Sequence, residues 1–319
     1  MMMNESPMMD FSIVVPVYFN EGSLEALYDE LDREVFQALS EFAGEIIFID
    51  DGSGDQSYAV MESLQNNHPD RIRAIKLSRN FGQINAIWCG LTHARGRATA
   101  VISADGQDPP EYLRKMLLEN LREGKEVVIC TREEREESAW RKFTSSCFYW
   151  FMQKLCFSNM PVGGFDFFSL GTKSREALLR NYQSHGFLQG QILRLGFEPL
   201  MIQYTRRARE HGRSRWTFAR KVTYLLDGII GYSFLPLRMM ALLGILMALA
   251  GFVYALVVLF HRLFFGNPLQ GWAPLMIVIL VMGGVQMVML GIIGEYLWRT
   301  KAQVTAEPPY IVEAILQAE

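Results

Sequence analysis

The chain is poor in the residues that mark several common chemistries. Its 319 residues include only four cysteines, Cys89, Cys130, Cys147 and Cys156. They form no CxxC pair and no disulfide framework, so they read as interior residues of a protein from a reducing compartment. Five histidines give no HxxxH or HxH pair, which argues against a zinc site. Neither GxGxxG nor GxxxxGK[ST] occurs, so the dinucleotide and Walker fingerprints are missing. The formal net charge is −3, and no general attraction to nucleic acid is expected. Residues 1–10 lack a basic stretch leading into an apolar one. That pattern predicts no signal peptide and a first domain that stays in the cytoplasm.

Charge itself is missing from one region. Charged residues are frequent up to about Leu235 and almost vanish over residues 236–298. Residues 237–260 carry Arg238 alone, and residues 273–293 carry no charge. Each stretch reaches the ~20 residues that cross ~30 Å of hydrocarbon. Two such stretches in succession favour membrane spans over a pair of buried core helices. Basic residues precede the first span and follow the second as Arg299 and Lys301. The positive-inside rule then places the large domain and the tail in the cytoplasm, with two spans in the inner membrane. Trp272 and Trp298 stand at span ends, where interfacial aromatics belong. Gly244, Gly283, Gly284 and Gly291 suit close helix packing, either between the two spans or in a homo-oligomer.

The remainder alternates. Short β-rich apolar runs at residues 11–17, 45–49, 71–77, 98–104 and 126–130 are separated by helical spacing at 24–35, 56–66, 81–94 and 110–123. That rhythm predicts βαβ units and a mostly parallel sheet. Ligands of such sheets sit beyond the carboxyl ends of the strands. Polar residues collect there: Glu21, Asp50, Asp51, Arg79, Asp105 and Gln107. Residues 138–157 read as an aromatic-rich helix, 161–166 as a loop and 188–195 as another helix. Residues 214–234 set Arg215, Arg220 and Lys221 against Trp216, Phe218, Val222, Leu225, Leu226 and Ile229, as a helix in a membrane interface does. The expected organisation is a catalytic domain over 1–213, an interface region over 214–235, two transmembrane helices within 236–298 with a loop near 261–272, and a tail over 299–319.

Asp105-Gly106-Gln107 follows a strand, so its oxygens face the crevice. One carboxylate and one amide oxygen suffice for Mg²⁺ or Mn²⁺ when a diphosphate and waters complete the octahedron. Asp108-Pro109-Pro110-Glu111 reads instead as a helix cap with proline at N1 and an acid at N3, a structural role. Asp50 and Asp51 suit a ribose or base pocket, although Asp-Gly is also a turn signal and Ser53 or Asp55 suits a cap. Arg206, Arg209, Ser214 and Arg215 lie in a basic segment that includes Arg207, Arg213, Arg220 and Lys221. Guanidinium forks match phosphate oxygens, so this segment suits a diphosphate, an acceptor phosphate or lipid headgroups.

The motifs Val14-Val15-Pro16-Val17-Tyr18-Phe19-Asn20-Glu21, Ile49-Asp50-Asp51-Gly52-Ser53 and Leu77-Ser78-Arg79-Asn80-Phe81-Gly82 occur in order. After them come 104–111, 206–216, Leu226-Asp227-Gly228-Ile229-Ile230, Leu235-Pro236-Leu237-Arg238 and Gly294-Glu295-Tyr296-Leu297. The set resembles the family 2 glycosyltransferases of the polyprenyl-phosphate type, which include dolichol-phosphate mannose synthase and bactoprenol glucosyltransferases. The resemblance implies a GT-A fold, a UDP- or GDP-linked sugar donor, a divalent metal and inverting transfer to an undecaprenyl or dolichyl phosphate for a cell-envelope glycan. It implies that Pro16, Tyr18, Glu21 and Asp51 line the nucleoside pocket and that Asp105 and Gln107 bind metal. Arg132 falls near a basic position of the family. Arg206, Arg209, Ser214 and Arg215 match its phosphate-binding segment, and Asp166 matches a candidate general base.

Three positions depart from the family pattern. Ser103 stands where an Asp is usual, Phe168 where an Arg is usual and Cys130 where a Gly is usual. Two rival readings remain at this point. Gln189-Gly190-Gln191-Ile192-Leu193-Arg194-Leu195 approaches the Gln-x-x-Arg-Trp motif of processive synthases but lacks the Trp. The chain also admits another lipid acceptor, or a role as a non-catalytic nucleotide-sugar-binding protein with a degraded site.

Overall fold

The computed structural model describes residues 9–132, 153, 159–161, 164–182, 187–207, 235–265, 272–305 and 308–316. The chain forms two units, one of Met1–Leu225 with Pro308–Glu319 and one of Leu226–Glu307.

The first unit is built on a sheet with eight described strands. Four parallel strands form its centre: β1 (Phe11–Val17), β2 (Gly44–Asp50), β3 (Ile72–Leu77) and β4 (Ala98–Val101). Their side chains are buried on both faces, as the mostly apolar runs require. On one face Ile13, Val15, Val17, Ile46 and Phe48 pack with α1 (Leu24–Leu31), α2 (Ser57–Asn67) and α4 (Pro110–Leu121). On the other, Val14, Ile47, Ile49 and Ile75 pack with α3 (Gln83–His93). Each fully buried Ile or Val contributes about 1.5–3 kcal/mol, so the two cores fix the register of every central strand.

Four more strands extend this frame. β5 (Val127–Arg132) and β6 (Phe168–Gly171) follow, then α5 (Thr172–Arg180), α6 (Leu188–Arg194) and β7 (Leu200–Tyr204). β6 runs antiparallel between β4 and β5. The final strand, β8 (Val312–Leu316), adds antiparallel to β3 after the apolar segments. The sheet order is β7-β5-β6-β4-β1-β2-β3-β8. The strand order reverses between β1 and β4, which opens a crevice at their carboxyl ends.

Three local outcomes differ from the sequence expectations. The fourth strand ends at Val101 rather than 104, because the chain leaves the sheet after Ile102 donates to the Val14 carbonyl. The first helix ends at Leu31 and continues as one π-helical turn over Asp32–Phe36. Asp108 does not cap α4. Pro109 holds that place with no side-chain bond, and Asp108 is committed elsewhere.

The second unit contains α7 (Leu235–Phe265) and α8 (Trp272–Val304), the two helices expected as spans. They have 31 and 33 residues. At about 1.5 Å per residue both exceed ~30 Å of hydrocarbon. Leu246, Phe252, Phe260, Leu290 and Leu297 are exposed along them. Apolar faces this long require lipid or a partner surface. The expected helices at 138–157 and 214–234 lie outside the described residues, apart from Gln153.

Candidate active site

The crevice is lined by the loops that follow β1, β2 and β4. Pro16 is tolerated inside the sheet because β1 and β4 pair only as far as Val14 and Val101, so its missing N–H faces no ladder partner. Beyond it the chain turns sharply at Phe19, whose φ is +58°. The Tyr18 and Phe19 rings meet edge to face at 4.7 Å. This loop is stitched to the one after β2. The Phe19 N–H donates to Ser53 Oγ at 3.1 Å, the Asn20 N–H to Ser57 Oγ at 2.9 Å, and the Gln56 N–H to Glu21 Oε2 at 2.8 Å. Asp55 accepts from the Ser57 N–H at 3.1 Å, as an acid at the start of α2 should.

Asp50 and Asp51 have different surroundings. Asp50 is fully buried and accepts the Ser53 N–H at 3.1 Å. Burial raises its pKa above the usual carboxylate value. Asp51 accepts the Phe81 N–H at 2.7 Å and the Gly82 N–H at 2.9 Å, which fixes the approach to α3. Burial pushes its pKa up to about 6, against the pull of those two bonds. Gly52 has φ +68°, and a Cβ there would lie 2.5 Å from the Arg79 backbone. Only glycine lets these two turns touch.

Asp105 begins a tight turn through Gly106 at φ +69°, and its Oδ1 accepts the Gln107 N–H at 3.2 Å. The Ser103 hydroxyl lies 2.8 Å from Asp105 Oδ1 and 2.6 Å from Asp108 Oδ2. Tyr204 donates its hydroxyl to Asp108 Oδ1 at 2.7 Å. Burial and the neighbouring Asp108 hold the Tyr204 pKa above its usual value, so the phenol remains a donor. Arg206 spans both acids. Its Nε is 3.2 Å from Asp108 Oδ1, an ion pair rather than an aligned hydrogen bond, and its Nη2 is 3.8 Å from Asp105 Oδ2. Gln107 Nε2 donates to the Arg207 carbonyl at 3.3 Å, and the Arg207 N–H donates back to the Gln107 carbonyl at 3.0 Å.

A second cluster joins this one. Because β6 runs antiparallel, Asp166, two residues before it, lies at the same edge as the carboxyl ends of the parallel strands. Arg132, at the end of β5, donates to Asp166 Oδ2 at 3.1 Å. Gln189 donates to Asp166 Oδ1 at 3.0 Å. Arg132 also reaches the Tyr204 hydroxyl. Burial opposes its charge, but Asp166 and Tyr204 outweigh that effect and hold its pKa above the usual value. Gln189, Asp166, Arg132, Tyr204, Asp108, Ser103 and Asp105 therefore form one continuous polar chain.

The structure gathers Asp105, Gln107, Arg132, Asp166 and Arg206 from the sequence-derived set into this region. Pro16, Tyr18, Glu21, Asp50 and Asp51 belong to the neighbouring loops. Arg209, Ser214 and Arg215 lie outside the described residues. Ser103, Tyr204 and Gln189 were not singled out as site residues. Tyr204 stands two positions before Arg206, and Gln189 stands two positions before Gln191, which opens the incomplete processive motif, so both carried a weak signal. Phe168 is buried in β6 and meets Phe165 edge to face at 6.2 Å. Its ring belongs to the core. Cys89 and Cys130 are likewise buried, and burial pushes both thiols up to about 12, as inert interior cysteines require.

Residues 12–193 match the family described as Glycosyl transferase family 2, and residues 235–299 match the GtrB C-terminal hairpin. The chain belongs to glycosyl transferase family 2. It is therefore a glycosyltransferase, and the non-catalytic reading is set aside. An uncharacterized glycosyltransferase from Synechocystis sp. is 34% identical over 305 residues, covering 95% of this chain and 94% of its own. The SfII prophage-derived bactoprenol glucosyl transferase of Shigella flexneri is 31% identical over 306 residues, covering 96% and 98%. A mannosyltransferase from Pyrobaculum calidifontis, solved with GDP-mannose and Mn²⁺, superposes with a TM-score of 0.50 at 15% identity, over 69% of this chain and 63% of its own. That likeness supports the GT-A fold of this family 2 chain.

Proposed function

We propose that the protein is a membrane-bound inverting glycosyltransferase. It moves a sugar from a nucleotide-sugar donor to a polyprenyl phosphate at the cytoplasmic face of the inner membrane, with a divalent metal. The observation that carries this reading is one chain that holds both an acid-and-arginine crevice and two long apolar helices. Relatives named bactoprenol glucosyl transferases, similar from end to end, support the same acceptor class. The return of β8 to the sheet after the hairpin supports an even number of crossings, with both flanks on one face.

A lipid-phosphate oxygen attacks the anomeric carbon. The bond from that carbon to the diphosphate oxygen breaks on the opposite side, and the centre inverts. The nucleophile is already ionised near neutral pH, so no strong base is needed. Asp105 and the Gln107 amide oxygen suit a hard, oxygen-liking cation, because Asp105 sits beside a second acid and at present faces a guanidinium. Such an ion would neutralise charge on the leaving diphosphate. Arg206 and Arg209 serve the same developing charge. Arg132, oriented by Asp166, faces the acceptor side. Tyr18, Glu21 and Asp51 shape the nucleoside pocket, and Ser214 and Arg215 are assigned to phosphate binding by the family pattern they match.

The Asp51 pKa predicts a pH dependence. Ionised Asp51 accepts two N–H bonds, and protonation near pH 6 removes an acceptor from the turn leading into α3. Affinity for the nucleoside diphosphate is expected to fall as pH drops below about 6, and Asp51→Asn should flatten that limb. Unfolding is not the cause. A carboxyl whose folded pKa lies above its unfolded value favours the folded state as pH falls through this window. Nucleotide titrations from pH 5 to 8 check this. A flat profile in the native chain would separate Asp51 from donor binding.

The decisive test of the reaction uses detergent-purified protein with undecaprenyl phosphate, Mg²⁺ or Mn²⁺ and a panel of nucleotide sugars. A new lipid-phosphate-sugar mass that disappears on chelation is the expected result. Donor binding with no lipid product would rule out a polyprenyl-phosphate acceptor.

A further inference from the structure

We propose that Arg206 is a resident cation of the Asp105–Asp108 pair and yields its place beside Asp105 when a divalent ion binds, so that metal binding releases its guanidinium towards the diphosphate. This rests on the metal-dependent reading of the same crevice. Ser103, where the family usually has an acid, cannot by itself offset the charge of the pair. Its hydroxyl has one proton, yet it lies within hydrogen-bond distance of both carboxylates. One of the two contacts goes without that proton. The Asp108 side chain is 2% exposed and that of Asp105 15%, so water does little to screen their repulsion. Among the described residues, Arg206, 23% exposed, brings a positive charge to both acids. Removing one member of such a group leaves charge uncompensated.

The contact distances suggest which end opens. Arg206 is close to Asp108 at 3.2 Å and loose at Asp105, at 3.8 Å. A doubly charged ion at Asp105 would outcompete the looser contact and repel the guanidinium. The backbone need not move. The next residue, Arg207, is clamped through its N–H to the Gln107 carbonyl, and through two bonds of 2.8 and 2.9 Å to Glu30. Rotation of one side chain achieves the exchange. Arg206 is thus a competitor of the metal at Asp105 as well as a ligand for phosphate.

Competition predicts that removing Arg206 strengthens metal binding, the opposite of what loss of a merely structural residue would do. Mn²⁺ alone, titrated into the full-length detergent-solubilised protein and followed by electron paramagnetic resonance, reads this directly. Arg206→Gln is expected to tighten Mn²⁺ binding about tenfold, within the ordinary range of coupling between linked events, while transfer falls. Arg206→Lys should stay near the native affinity. In the native chain, Mn²⁺ should speed phenylglyoxal labelling of Arg206, read by peptide mass spectrometry, and this needs no variant. Unchanged or weaker Mn²⁺ binding in Arg206→Gln, or labelling indifferent to Mn²⁺, overturns the exchange. Asp105→Asn separates the two ideas. If it binds Mn²⁺ like the native chain, the metal site itself lies elsewhere. If it loses Mn²⁺ while Arg206→Gln shows no gain, only the exchange fails.

Discussion

Asp105→Asn is expected to lower sugar transfer at least about 100-fold, the scale seen when a preorganised charge partner of a transition state is lost. The substitution keeps the size of the side chain. It also keeps an oxygen that can accept the Gln107 N–H, so the turn through Gly106 should survive. What disappears is the negative charge at the head of the crevice. That charge stands 3.8 Å from Arg206 and shares Ser103 with Asp108. Asp108 cannot replace it, because it is buried and already committed to Tyr204 and Ser103. The fold loses little, since Asp105 lies at the edge of the core rather than in it. A thermal unfolding curve close to the native one, together with product formation at saturating donor and acceptor, checks both halves. Transfer within a few-fold of the native rate would remove Asp105 from the reaction.

The central sheet was legible because β1 to β4 are buried on both faces, and double burial writes mostly apolar runs into the chain, interrupted at Arg73 and Lys76 in β3 and Thr99 in β4. β5 was legible in the same way at residues 126–130, but β6, β7 and β8 wrote no such signal. β6 has four residues and one of them is Ser169. β7 alternates exposed and half-buried positions at an edge. β8 has five residues and pairs with β3 across more than two hundred positions, a partner no local pattern can announce. The spans were legible for the same reason as the core: their apolar length had no other use. Within the site, charged residues at strand ends pointed to themselves. Asp105 and Arg206 could be singled out from position and type, whereas Arg132 and Asp166 followed only from the family resemblance. Tyr204 and Gln189 could not be singled out in either way, because a tyrosine or a glutamine acquires its role only from the groups folding brings to it. Asp108 shows the converse. Its local sequence spelled a helix cap, and a tertiary partner, Tyr204, took the carboxylate instead.

Asp166→Asn should produce the second large loss, and the double mutant with Arg132 shows why. Both Asp166 oxygens are engaged, one by Gln189 and one by Arg132. A carboxylate so held is arranged to orient a guanidinium rather than to take up a proton. Asparagine would remove the charge that secures Arg132 and, with its amide nitrogen on that side, would set donor against donor. Arg132 would then lose its hold beside Tyr204, and the disturbance would pass along the polar chain towards Asp108. Transfer is expected to fall about 100-fold in Asp166→Asn and by a similar factor in Arg132→Ala. If Asp166 acts through Arg132, the two losses do not add, and the double mutant should be no slower than the slower single one. If Asp166 is instead an independent base, the losses multiply. Multiplying losses would return Asp166 to the role of base.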